Sequence, residues 1–254
     1  MKSLQVRRLA PFVLVASALS LAPVSLFAQG PPPAPRPANA KAGAPIDITG
    51  QWVSVVTEDW RYRMVTPAKG DYASVPLNAD ARKVADAWDP AKDEAAGNQC
   101  KAYGAAAIMR VPGRVRISWA DDDTMKVETD AGTQVRNFYF KDPKGTGGDW
   151  QGVSQASWDV IGGGRGGPVR GGSLKVVTTK MKAGYLRKNG VPYSDKAVLT
   201  EYYDRTNEPN GDSWLVVTTI VDDPMYLNQP FITSTHFKKQ ADQSGWNPTP
   251  CSAR

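Results

Sequence analysis

Alternation of apolar and polar residues dominates the chain from Ala107 onward. The period is two, the runs are rich in β-branched and aromatic residues, and turn signals break them at short intervals. This pattern predicts strands over Ile108–Val111, Arg114–Trp119, Met125–Thr129, Thr133–Phe140, Trp150–Val160, Ser173–Thr179, Ala197–Arg205, Ser213–Val221 and Phe231–Phe237. Pro112-Gly113, Asp121-Asp122-Asp123, Ala131-Gly132, Asn189-Gly190, Asn210-Gly211 and Asp223-Pro224 separate them. An earlier β-branched run, Thr49 to Val56, brings the total to about nine or ten. No helical crossover intervenes, so antiparallel pairing in sequential hairpins is expected. A meander of this length removes its sticky edges by closing on itself. The expected fold is therefore mainly β, a closed antiparallel barrel, with a two-sheet sandwich as the alternative.

Helical spacing occurs in one place. Ala81, Val84, Ala85 and Trp88 share a face, Asn78 can cap the segment, and Asp89-Pro90 ends or kinks it. A short helical turn over Ala91 to Ala96 can follow. The helix sits in an insertion after the first strand, behind an aromatic and basic stretch, Trp60-Arg61-Tyr62-Arg63, and a loop through Pro67, Gly70 and Pro76.

The N-terminus has a different pattern. Lys2, Arg7 and Arg8 precede an apolar run from Leu9 to Ala22, and the segment closes at Leu26-Phe27-Ala28. Residues 1–28 have the layout of a secretory signal peptide, with an apolar core too short to span a bilayer. The arginine pair leaves the general and the twin-arginine export routes both open. Export implies a periplasmic or extracellular location. Residues 29–45, with Pro31, Pro32, Pro33, Pro35, Pro37 and Pro45, are expected to form a disordered linker. A single barrel domain is then expected over 46–254. No later run is apolar enough for a membrane span.

Signal removal changes the charge. The chain carries 31 Lys+Arg against 25 Asp+Glu, a net +6, and loss of Lys2, Arg7 and Arg8 leaves +3. That is not the basic stripe that nucleic acid requires. Two cysteines, Cys100 and Cys251, would enter an oxidising compartment, where a single disulfide is the default. It would close a loop of about 150 residues and contribute on the order of 5 kcal/mol in the chain-entropy model. The pair lacks metal-ligand spacing, and the one histidine, His236, would have to complete any metal or thiol site alone. No metal or cofactor is implied.

Gly50-Gln51-Trp52 on the first strand resembles the Gly-x-Trp opening of lipocalins, and Thr200-Glu201-Tyr202 loosely resembles a later lipocalin motif. The resemblance implies a lipocalin/calycin-like barrel whose Trp plugs the closed end. The helical insertion departs from that pattern. The mature chain is also similar to uncharacterised exported bacterial proteins that end in a Thr-Glu-x-x-Asp-Arg … Asp-Pro strand pair. That likeness implies export and a β-fold, and no known reaction.

The densest polar stretch is Thr200 to Arg205. Strand alternation puts Glu201, Tyr203 and Arg205 on one face. If these and His236 point inward, they form an acid–base set, with His236 as base, Glu201 orienting it, and Arg205 or Tyr203 holding an oxyanion. A one-residue slip of register would separate them. The alternative is a solvent face. Arg110, Arg114 and Arg116 form a basic group, in which Arg114 and Arg116 share a face opposite Val115, Ile117 and Trp119; outer cross-strand pairing with residues such as Glu128 competes with an inward carboxylate or phosphate clamp. Trp119, Trp158 and Trp214 are either core fillers or the lining of a ligand cavity. The glycine-rich run from Gly162 to Gly172 lacks a phosphate-loop ending and is expected to connect two strands.

Three function classes follow. The first is an exported binding module that holds a small, partly apolar molecule inside the barrel. The others are a cofactor-free lyase or isomerase in the same cavity and a structural or adaptor protein with a filled barrel. Oligomeric state is open.

Overall fold

A computed structural model describes residues 37–164 and 167–254. The expected signal peptide lies outside the described residues. Nine strands close into a barrel. They are β1 (Gly50–Val55), β2 (Arg114–Asp121), β3 (Thr124–Thr129), β4 (Gln134–Tyr139), β5 (Val153–Gly162), β6 (Val169–Thr179), β9 (Val198–Asn207), β10 (Ser213–Asp222) and β11 (Phe231–Lys239). Neighbours in the ring follow chain order, and β1 closes it by pairing with both β2 and β11. A small hairpin, β7 (Gly184–Arg187) with β8 (Val191–Tyr193), branches off between β6 and β9.

One pairing corrects the expected all-antiparallel meander. Strands β4 and β5 run parallel and share only two residue pairs, Phe138 with Ser154 and Tyr139 with Gln155. A parallel neighbour needs a connection that returns along the barrel. Residues 140–152 provide it without a helix, bending at Gly145, Gly147, Gly148 and Gly152, all at positive φ. So short a contact leaves a seam between the two strands.

The expected strand over Ile108–Val111 does not form: Ile108 ends the helix α4 (Ala105–Ile108), all four residues of which are buried, and Met109 to Val111 turn towards β2. Three alanines in a row pack closely on every side and favour helix. Three further helices precede it in the insertion: α1 (Trp60–Arg63), α2 (Ala79–Asp86) and α3 (Pro90–Ala95). The Asn78 side chain accepts from the Ala81 N–H and caps α2, and Asp89 caps α3 ahead of Pro90.

Inward positions alternate as period two requires. Trp52, Ile117, Met125, Phe138, Leu174, Tyr203, Leu215 and Phe237 fill the barrel, each 2% exposed or less. Trp52 donates its indole N–H to the Ile48 carbonyl at 2.9 Å. At one end the helical insertion and the β7–β8 hairpin build a second core around Tyr72, Leu77, Met181, Leu186, Tyr193 and Phe231. At the opposite end Trp119, Phe140 and Trp158 cluster, with ring centroids 5.3 to 6.4 Å apart. Residues 37–45, the described part of the expected linker, are bonded there: Ala40 N–H to Asp123, Lys41 N–H to the Asp122 carbonyl, and the Trp158 indole to the Ala40 carbonyl.

Cys100 and Cys251 form a disulfide across a sequence separation of 151. The tail before Cys251 is further held by the Thr249 N–H, which bonds the Asp130 carbonyl. No helix among the described residues is long and apolar enough to cross a membrane.

Candidate functional site

Register decides the fate of the expected acid–base set. Glu201 pairs with Thr219, and Tyr203 with Val217, so both point inward. His236 pairs with Val216 and Val55 on the outer face. The barrel wall therefore separates His236 from Glu201. Arg205 lies towards the end of β9, where it donates to the Asp47 carbonyl at 2.5 Å and to Asn207 at 3.1 Å.

Glu201 is held instead by Arg136 on β4. Two guanidinium nitrogens donate to its oxygens at 3.0 and 2.6 Å, and the Tyr203 hydroxyl donates to Oε1 at 3.1 Å. Arg136 also reaches the Thr178 hydroxyl, itself bonded to Ser154. Burial opposes the charge on Arg136, but the Glu201 carboxylate outweighs it and holds the guanidinium above its usual value. Burial, then the Glu201 charge, pushes the Tyr203 phenol well above its usual value. Both acid–base groups are thus committed to one another in a packed interior. Among the described residues, the arginine buried in the barrel interior is Arg136. Arg116 faces outward, bonded to Gln51 and stacked on Trp246 at 4.0 Å. Trp119 and Trp158 lie together, whereas Trp214 is on the outer face beside Lys238.

The convergence of unused chemistry lies at the helical end. A cleft of about 70 Å³ opens between α1, the α4–β2 connection and β7. Three arginines line it: Arg63, Arg110 and Arg187. They are 8%, 6% and 4% exposed, which is rare for arginine without full pairing. Arg63 reaches Glu58 through Nη1 and the Arg110 carbonyl through Nε. Arg110 binds Asp59 through Nη2 at 2.9 Å. Arg187 donates only Nη1, to the Ala73 carbonyl at 2.7 Å. Four buried nitrogens then have no partner among the described residues: Arg63 Nη2, Arg110 Nη1, and Arg187 Nε and Nη2.

The last two lie side by side on one guanidinium edge, the fork that accepts a carboxylate or phosphate in two parallel hydrogen bonds. Burial, then the neighbouring Arg110 charge, pulls the Arg187 guanidinium below its usual value. Burial does the same to Arg63, which Glu58 partly offsets and Arg110 worsens. The Arg187 guanidinium stacks on Tyr62 at 4.3 Å and lies 5.9 Å from the Phe231 ring, so its plane is fixed.

Local sequence explains these positions. Glu58 and Asp59 precede α1, and Asp59 takes the left-handed conformation that turns the chain into the helix. Arg187 ends β7, just before the turn at Asn189-Gly190. Asn189 ties that turn to the Ala68 and Asp71 carbonyls, and Gly190 sits at φ 80 with no room for a Cβ against Trp88. His236 touches the site from behind, its Nδ1 3.1 Å from Glu58 Oε2.

The aromatic and basic run Trp60 to Arg63 signals this cleft in the sequence, and Arg187 carries no signal beyond the Asn-Gly turn that follows it. Comparison with protein-family models, curated proteins and solved structures finds no match to this chain.

Proposed function

We propose that this protein is an exported binding module for a small molecule with an oxyanion head group, which sits on Arg63, Arg110 and Arg187 at the helical end of the barrel. Buried aromatic and aliphatic side chains pack the barrel interior, which favours the rim cleft over the interior expected from the sequence. The observation that carries the reading is Arg187: a buried cation with a free fork and, among the described residues, no carboxylate partner. An unsatisfied buried donor costs about 1–3 kcal/mol and an uncompensated charge more. Folds retain such arrangements where a ligand resolves them. The Cys100–Cys251 bridge fits an oxidising compartment.

Thermal denaturation tests this. Millimolar carboxylates or phosphate should raise the Tm of the wild type. Arg187→Met should lose that rise while its ligand-free Tm stays equal or increases, since a buried unpaired charge is replaced by an apolar chain. A lower Tm in the variant with an anion response equal to wild type would make Arg187 structural only. No response of the wild type to any oxyanion would reject the site.

A further inference from the structure

Resting on that reading, we infer that the ligand is a monocarboxylate with an apolar body, such as a medium-chain fatty acid, rather than a phosphate or a dicarboxylate. Charge balance points to a single negative charge. Arg63 is already paired with Glu58, and Arg110 with Asp59. Arg187 is the one of the three without a carboxylate among the described residues. Lys188, at the rim, is half-buried, within reach of water, and donates to the Arg254 carbonyl. One carboxylate on the Arg187 fork neutralises the buried excess. A second negative charge would stand near Glu58 and Asp59 in a medium that screens poorly, where repulsion is strong.

Shape agrees with charge. The planar side-on fork offers two parallel N–H groups to two coplanar oxygens. The cleft's volume of about 70 Å³ is roughly half the ~150 Å³ that accommodates a benzene ring. It takes a head group and leaves the rest of the molecule to run outward. The wall that meets it is apolar: Val65, Ala102, Ala107, Val111 and Leu186. Val65, 67% exposed, carries this wall to the surface, and Trp60 and Met64, 65% and 59% exposed, flank the lining residues Tyr62 and Arg63 in the chain. A phosphate or a polyol gains nothing from that surface, whereas an alkyl chain loses water against it.

Isothermal titration of the purified protein with octanoate, acetate, succinate, inorganic phosphate and octanol separates the possibilities. Octanoate should bind at least about tenfold more tightly than acetate, and succinate, phosphate and octanol more weakly than octanoate. Trp60→Ser with Val65→Ser should cut octanoate affinity several-fold and leave acetate affinity unchanged. Arg187→Met should abolish binding of both. Tighter, Arg187-dependent binding of phosphate or succinate would overturn the ligand class and keep the oxyanion site. Octanol binding as tightly as octanoate would also overturn the class. Absence of binding by every anion would remove the site itself.

Discussion

Glu201 shows how one residue's chemistry is set by its facing strands. Its carboxylate lies in the barrel interior, answered by Arg136 two-handed and by the Tyr203 hydroxyl. Such a pair adds little to net stability, because desolvation offsets attraction, but removing one partner leaves a buried charge alone. Glu201→Gln should therefore cost about 3–5 kcal/mol in urea denaturation. The double change Glu201→Leu with Arg136→Met should recover most of it. Alternation alone put Glu201 and Tyr203 on one face, and the structure keeps them together. It could not place His236, because a one-residue slip reverses a strand's faces and only the pairing of Val216 with His236 and Asp204 fixes them. Nor could it select Arg136, which looks like any strand arginine until Thr178 and Glu201 surround it.

At the scale of elements, the capped helix and the longer strands were legible because each carries its own periodicity. Asn78, Ala81 and Ala85 suffice to mark α2, and the hairpin signals mark β2 to β3 and β9 to β10. The elements that build the cleft were not legible. Helix α1 has four residues and no side-chain cap, α4 is a run of small residues, and β7 is a four-residue strand. Each is held by tertiary contacts that a local pattern does not contain. The disulfide belongs to this scale. Cys100 immediately precedes the stretch that supplies Ala102, Ala107 and Arg110 to the cleft, and Cys251 anchors it to the tail. Replacing both cysteines by serine should lower stability by up to about 5 kcal/mol. The same variant should bind anions more weakly, since one wall of the cleft loses its tie. Melting curves and titrations with and without reductant check both effects.

For the whole molecule, a barrel filled with aromatic side chains has an alkaline limit. Burial raises the phenols of Tyr193 and Tyr203 above their usual value. In the unfolded chain they ionise near pH 10, so above that pH the folded protein holds protons that the unfolded one has released. Stability is fully present below about pH 10 and falls as pH rises, by up to about 1.4 kcal/mol per unit for each buried phenol. The urea midpoint should be flat from about pH 8 to about pH 9.5 and then decline, and Tyr203→Phe should make the decline shallower. Closure itself was legible as a consequence of many strands and no crossovers. The one reversed pair was not, because nothing local to residues 140–152 states that the chain returns along the barrel before it pairs again.

That reversed pair has a consequence in simple parity. Around a closed ring, every antiparallel neighbour flips the direction of travel, and the last strand must agree with the first. An even ring can alternate throughout, but a ring of nine cannot, and somewhere two neighbours must point the same way. The β4–β5 seam is where this chain meets that requirement. Adding a hairpin, two strands at once, would preserve the seam. Gaining or losing a single strand would let the ring alternate throughout and remove the need for it.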